Sequence, residues 1–227
     1  AFSLIYTTGQ RVAPQESRST PEEAPTAQTA NLASIVLPPD GVTLPIRWGN
    51  FGSQLAALGV VDAEKFTSLY RGSPMEDDAL QFLADVEDTQ IRMTLENAPV
   101  FLNLFWAFGL ANENPVLTEG PMVDPQYGGA GRFASTGGWT LAKGDAMTHY
   151  ARHALVPLSP AQQALVERVA GGIYRPCCGN ATYFPDCNHG MAMLGLLEIM
   201  AAQGFSEEEM YRTALAVNSF WFPDTYL

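Results

Sequence analysis

The chain has 227 residues, 47% of them apolar and 16% charged, and its 12 basic and 24 acidic side chains leave a net charge of −12. That is enough chain to bury one sizeable core, and the acidic balance excludes nucleic acid as a partner, because a polyanion needs a basic footprint. No run of about 20 apolar residues is present to span a membrane as a helix, and no P-loop, GxGxxG or GxSxG motif marks a nucleotide site or a serine hydrolase.

Residues 1–10, AFSLIYTTGQ, begin without methionine and read as the remainder of a longer, processed product. Residues 11–34 are rich in Pro, Thr, Ala, Ser, Gln and Glu. They hold too few large apolar groups to offset the entropy of ordering, which predicts a flexible tether. The expected division is therefore a stub and linker over 1–34 and a single helical domain over 35–227. An apolar stub followed by a tether suits an extracytoplasmic protein, periplasmic or at the cell surface, held to a membrane.

Residues 35–50 contain three prolines and two glycines and read as an extended, irregular stretch laid on the surface. Helix signals dominate after that. Asp62 is placed to cap a helix running to about Tyr70, and Ser73-Pro74-Met75-Glu76 has the form of a capping box. The helix it opens would turn Leu80, Leu83 and Val86 inward, with an acidic face of Glu76, Asp77, Asp78, Asp85, Glu87 and Asp88 toward solvent. Residues 89–95 alternate weakly, as a short strand does.

Residues 98–111, APVFLNLFWAFGLA, are apolar nearly all round and predict the central core helix. Residues 112–144 carry seven glycines from Gly120 onward and predict a long irregular loop. Further helices are expected over 145–154, from Ser159-Pro160-Ala161-Gln162 to about Ala170, from Asn188 to Gly204, and from Ser206-Glu207-Glu208-Glu209 to about Phe220. The fold class is mostly α: a single multi-helical domain with long irregular Gly/Pro-rich loops and little sheet.

The three cysteines, Cys177, Cys178 and Cys187, and the three histidines, His149, His153 and His189, all fall between residues 149 and 189. Clustering of these donors marks a metal or thiol site. Cys177, Cys178, Cys187 and His189 form the pattern C-C-x8-C-x-H, a sufficient four-coordinate set for copper(I) or zinc(II). Cys187 and His189 flank an expected helix N-terminus, whose dipole lowers a thiol pKa, and Arg175 can act in the same sense. His149 and His153 stand at i, i+4 on the expected helix 145–154, where one face would carry both imidazoles to an ion. Met147, Met191 and Met193 are thioether neighbours, a hint toward copper over zinc as the cofactor, while core packing is the first reading of Met191 and Met193. A disulfide from Cys187 to Cys177 or Cys178 is the alternative use of the same sulfurs.

The run CC…DCNHG followed by QGFSEEEMY resembles the thiol-bearing segment of some exported haem-lyase accessory proteins and PCYCGC-motif lipoproteins. The order of cysteines differs from both, so the resemblance implies an extracytoplasmic thiol or metal function and no particular activity. The expectation is a tethered, extracytoplasmic protein that binds and delivers a soft metal, with a membrane protein as a candidate partner. The alternatives are a metal-dependent or thiol-based oxidoreductase, and a structural subunit of a membrane complex in which the site is a metal or disulfide staple.

Overall fold

The computed structural model describes residues 27–84 and 86–227. Residues 1–26, most of the expected stub and linker, lie outside the described residues. The end of that linker forms a helix, α1 (Ala27–Val36). Among the described residues ten α-helices accompany one two-stranded sheet, so the fold is mostly α as the sequence predicts. No helix among them is long and apolar enough to cross a membrane.

The stretch after α1 is not a surface ribbon. Val42–Gly49 is a strand, β1, paired antiparallel with β2 (Val86–Met93), and Leu44, Ile46 and Trp48 point alternately into the core. The period of two in TLPIRW was masked by its proline, which an edge strand tolerates. Trp48 satisfies its indole N–H on the buried Phe82 carbonyl at 2.7 Å.

Between the strands lie α2 (Phe51–Leu58), α3 (Ala63–Tyr70) and α4 (Glu76–Leu83). Asp62 caps α3 as expected, its carboxylate accepting from the Glu64 and Lys65 N–H groups. The start of α4 shifts by two residues: Ser73 and Glu76 instead close a loop, Ser73 Oγ accepting from Met75 and Glu76 accepting from Gly72. With that shift Ala79, Phe82 and Leu83 face inward, and Leu80 is left exposed rather than buried.

The centre of the molecule is α5 (Ala98–Ala111) packed on α8 (Asn188–Ala202), both nearly all buried. A Cβ on Gly109 would meet the Met191 carbonyl oxygen and the Gly195 nitrogen; a Cβ on Gly195 would meet the Phe105 carbonyl oxygen and the Gly109 nitrogen. Cβ vectors tilt toward the N-terminus of their own helix, so this reciprocal pattern means that α5 and α8 run parallel. Parallel neighbours need a long crossover, and residues 112–187 supply it. It comprises the short α6 (Pro115–Thr118), a run of 3₁₀ turns between Pro121 and Thr148, α7 (Pro160–Gly172) and the cysteine loop. The irregular part is pinned by tryptophan N–H groups, Trp106 to the Ser135 carbonyl at 2.6 Å and Trp139 to the Val60 carbonyl at 2.8 Å.

Capping boxes open both α7 at Ser159 and α9 (Glu207–Trp221) at Ser206. A final turn, α10 (Pro223–Tyr226), follows. Trp221 reaches the Ala98 carbonyl, so the C-terminus of α9 meets the N-termini of α5 and α8.

The backbone contact at Gly109 and Gly195 makes a sharp stability prediction. Gly195→Ala drives a methyl into the α5 backbone and is expected to cost at least ~1–3 kcal/mol in thermal unfolding. Gly171→Ala in α7, where nothing lies near the added Cβ, is expected to be neutral or to gain up to about 1 kcal/mol.

Candidate metal centre

The cysteine loop joins the C-terminus of α7 to the N-terminus of α8. Its first half is a tight hairpin: Tyr174 bridges Ala181, Thr182 N–H bonds the Ile173 carbonyl, and the Arg175 carbonyl accepts from Cys178 and Gly179. Gly179 turns the chain with φ +71, a left-handed conformation that glycine adopts without strain. Cys177 and Cys178 sit at the tip and are exposed; Cys187 is half-buried at the N-cap position of α8.

Arg175 holds the loop together from inside. Its side chain is 0% exposed, and Nη2 donates to the Phe184 carbonyl at 2.9 Å and to Asp186 Oδ1 at 2.6 Å. Asn180 Nδ2 donates to the other Asp186 oxygen at 2.9 Å, and Ser135 N–H bonds the Asp186 carbonyl. Gly190 leaves room for this guanidinium, since a Cβ there would overlap Arg175 Nη1.

Three free thiols converge on this frame. Cys177 Sγ lies 3.6 Å from Cys187 Sγ and 3.8 Å from Cys178 Sγ. Donor atoms of Cys177, Cys187 and His189 lie within 4.8 Å of one another, and so do those of Cys178, Asp186 and Cys187. The donors present fit an ion. At a metal–sulfur distance of about 2.3 Å a tetrahedral edge is ~3.8 Å. His189 Nδ1 is buried with no partner among the described residues. The ring is fixed by stacking on Phe222, centroids 4.4 Å apart, and by an edge contact with Trp221 at 5.8 Å. This close Cys/His cluster could hold a metal ion. Asp186, which the spacing pattern alone does not mark as a donor, belongs to it.

The expectation of a lowered Cys187 pKa does not hold. Burial raises it, and the opposing pull of Arg175 and of the Gly190 N–H at the start of α8 is smaller. Burial and the neighbouring Cys187 push Cys177 up to about 12. Cys177 and Cys187 are therefore protonated at neutral pH, and an ion that binds them must displace their protons. Burial, then Arg175, lowers His189 to about 4, so it stands as a neutral ligand. Met191 and Met193 are fully buried in the core, which removes the thioether argument for copper over zinc.

His149 and His153 are not on a helix. A 3₁₀ turn, Ala146–Thr148, replaces the expected helix 145–154, and Ala151 takes a left-handed φ of 48. The N–H groups of Ala151, Arg152 and His153 bond instead to the Leu110 and Ala111 carbonyls. A helix leaves its last four carbonyls unpaired, and those of α5 capture this segment. The two imidazoles still meet, Nδ1 of His149 3.1 Å from Nε2 of His153, but at the far end of the central pair. His153 forms an isolated parallel bridge with Asn112, which lies beside Glu198. Glu198 lies nine residues beyond His189 on α8, about 14 Å along the axis. Burial lowers the His153 pKa, as does His149, against a raising effect of Glu113.

Glu198 is the unexpected group at that end. It is fully buried, its Oε1 accepts from Asn114 Nδ2 at 2.6 Å, and burial raises its pKa well above the ordinary carboxyl value despite the neighbouring Asn112 and Asn114. Asn114 is held in turn by Gln163 and by the Val116 N–H. A glutamate inside an apolar helix (MAMLGLLEIMAA) is the sequence signal that could have found it.

No family model, no curated protein and no solved structure matches this chain. The resemblance of the cysteine segment to exported thiol proteins therefore has no counterpart over the whole chain.

Two pH dependences follow. In chelator-treated protein His189 is protonated near pH 6.5 when unfolded and only near 4 when folded. Its contribution to stability is complete above 6.5 and is lost as pH falls through that window. Melting temperature should drop over this range, and His189→Gln should flatten the drop. Glu198 has the opposite sign: its folded pKa is raised, so its contribution is complete below the unfolded pKa near 4.5 and is lost as pH rises. Glu198→Gln, which keeps the acceptor for Asn114, should raise the melting temperature at pH 8 and leave it unchanged at pH 4.

Proposed function

We propose that the protein binds a soft or borderline transition-metal ion, copper(I) or zinc(II), through Cys177, Cys178, Cys187 and His189, and that it holds or delivers that ion outside the cytoplasm. The observation that carries this reading is the set of thiol separations at 3.6 and 3.8 Å beside a buried imidazole nitrogen that lacks a partner. Tethering to a membrane, with a membrane protein as recipient, is the companion reading. It rests on the composition of residues 1–34.

Exposure of Cys177 and Cys178 supports exchange of the ion over a closed structural staple, because an incoming ligand can reach both sulfurs. The raised pKa values of Cys177 and Cys187 argue against either as the thiolate nucleophile of an oxidoreductase. His149 and His153 are left out of the ion's shell in this reading and serve the C-terminal end of α5.

Binding should stabilise the fold by mass action, by about 2.7 kcal/mol when free metal is a hundred times its dissociation constant. Cys187→Ser is expected to lower metal content and melting temperature together. His189→Ala should lower both less, since three thiolates retain a soft ion, and substitution of His149 or His153 should leave metal content unchanged. Elemental analysis with a thiol count and thermal melts checks this. A protein destabilised by reductant, indifferent to chelator and holding one free thiol carries a disulfide instead.

A further inference from the structure

We propose that the cysteine loop is built for two ions, bridged by the sulfur of Cys187; this rests on the metal-binding reading above. Five donors are present, and they fall into two close sets, Cys177 with Cys187 and His189, and Cys178 with Asp186 and Cys187. Cys187 alone belongs to both. The vicinal cysteines are divided between them, their sulfurs 3.8 Å apart, so each set gains one exposed thiol. A thiolate sulfur keeps lone pairs beyond its first metal bond, and soft or borderline ions share thiolates readily.

The geometry around Asp186 fits a ligand. Arg175 and Asn180 use one position on each of its oxygens. A carboxylate offers about four acceptor positions, so places remain for a cation, and hydrogen bonds of this kind are how carboxylate ligands are aimed. Each set supplies three protein ligands, and water or an incoming ligand completes a tetrahedral shell on the exposed side. The thiol protons leave to solvent as the ions bind.

The test counts ions. Metal-free, reduced protein is titrated with Zn(II) against a chromophoric chelator, and bound zinc per chain is read by native mass spectrometry. Two zinc ions are expected for the unmodified chain. Cys178→Ser, Asp186→Asn and His189→Ala should each leave one, and Cys187→Ser should leave none of comparable affinity. Cys178 is exposed and stands outside the Arg175–Asp186 ion pair, so Cys178→Ser reports on the second ion even where Asp186→Asn fails to fold. A single zinc on the unmodified chain overturns the two-ion arrangement and leaves the metal-binding reading standing. A second zinc that survives Cys187→Ser also overturns it, by placing that ion elsewhere. No bound zinc overturns it as well, and no bound copper(I) under anaerobic titration then overturns the metal-binding reading too.

Discussion

Two parallel helices touch backbone to backbone at the centre of this protein, because Gly109 faces Gly195. Most of the architecture depends on that contact. Parallel α5 and α8 cannot be joined by a short turn, so the chain must travel the length of the pair between them. The crossover carries all six cysteines and histidines except His189, which opens α8. A larger residue at either glycine would push the helices apart and loosen both ends of the molecule at once. The aromatic groups of α5, with Trp48, Phe51 and Phe82 packed on them edge to face, fill the rest of the core around this seam.

At one end of the seam the helix termini leave backbone groups unpaired, and the cysteine loop is built over them. Its frame is a buried ion pair, Arg175 with Asp186, reinforced by carbonyls and by Asn180. A buried pair of this kind adds little net stability, since desolvation offsets much of the attraction, but it fixes a geometry. Here the geometry sets Cys177 Sγ at tetrahedral-edge spacing from both Cys178 Sγ and Cys187 Sγ, with Asp186 in the frame beside them. Arg175 Nε and Nη1 lack partners among the described residues. The loop, anchored by Phe184 on Tyr127 and Phe133, thus combines a rigid interior with reachable thiols at its tip.

The other end of the seam is polar and serves stability in a different way. The carbonyls that α5 cannot pair are taken by residues 151–153, and alongside them the buried Asn114 links Glu198 to the half-buried Gln163, with buried Asn112 beside Glu198. His149 and His153 belong to that assembly. Their mutual hydrogen bond uses nitrogens that an ion would otherwise take, which is why two histidines four residues apart need not form a chelate.

Much of this was legible in the sequence because it depends on local rules. The borders of α5 follow from an apolar run, and the starts of α7 and α9 follow from Ser-x-x-Gln and Ser-x-x-Glu, since capping is settled within a single turn. The cysteine cluster was visible by composition and spacing. What lay beyond reach involved partners distant along the chain. The strand at 42–49 is set by pairing with residues 86–93, and α4 starts late because Glu76 turns back to Gly72. The helix expected at 145–154 loses to carbonyls some forty residues earlier. Asp186 becomes a donor only once Arg175 and Asn180 aim it, and Cys187 carries a raised pKa because burial outweighs the helix dipole and the nearby guanidinium. Burial and long-range hydrogen bonding are properties of the packed chain, so the tertiary structure alone decided which donors meet.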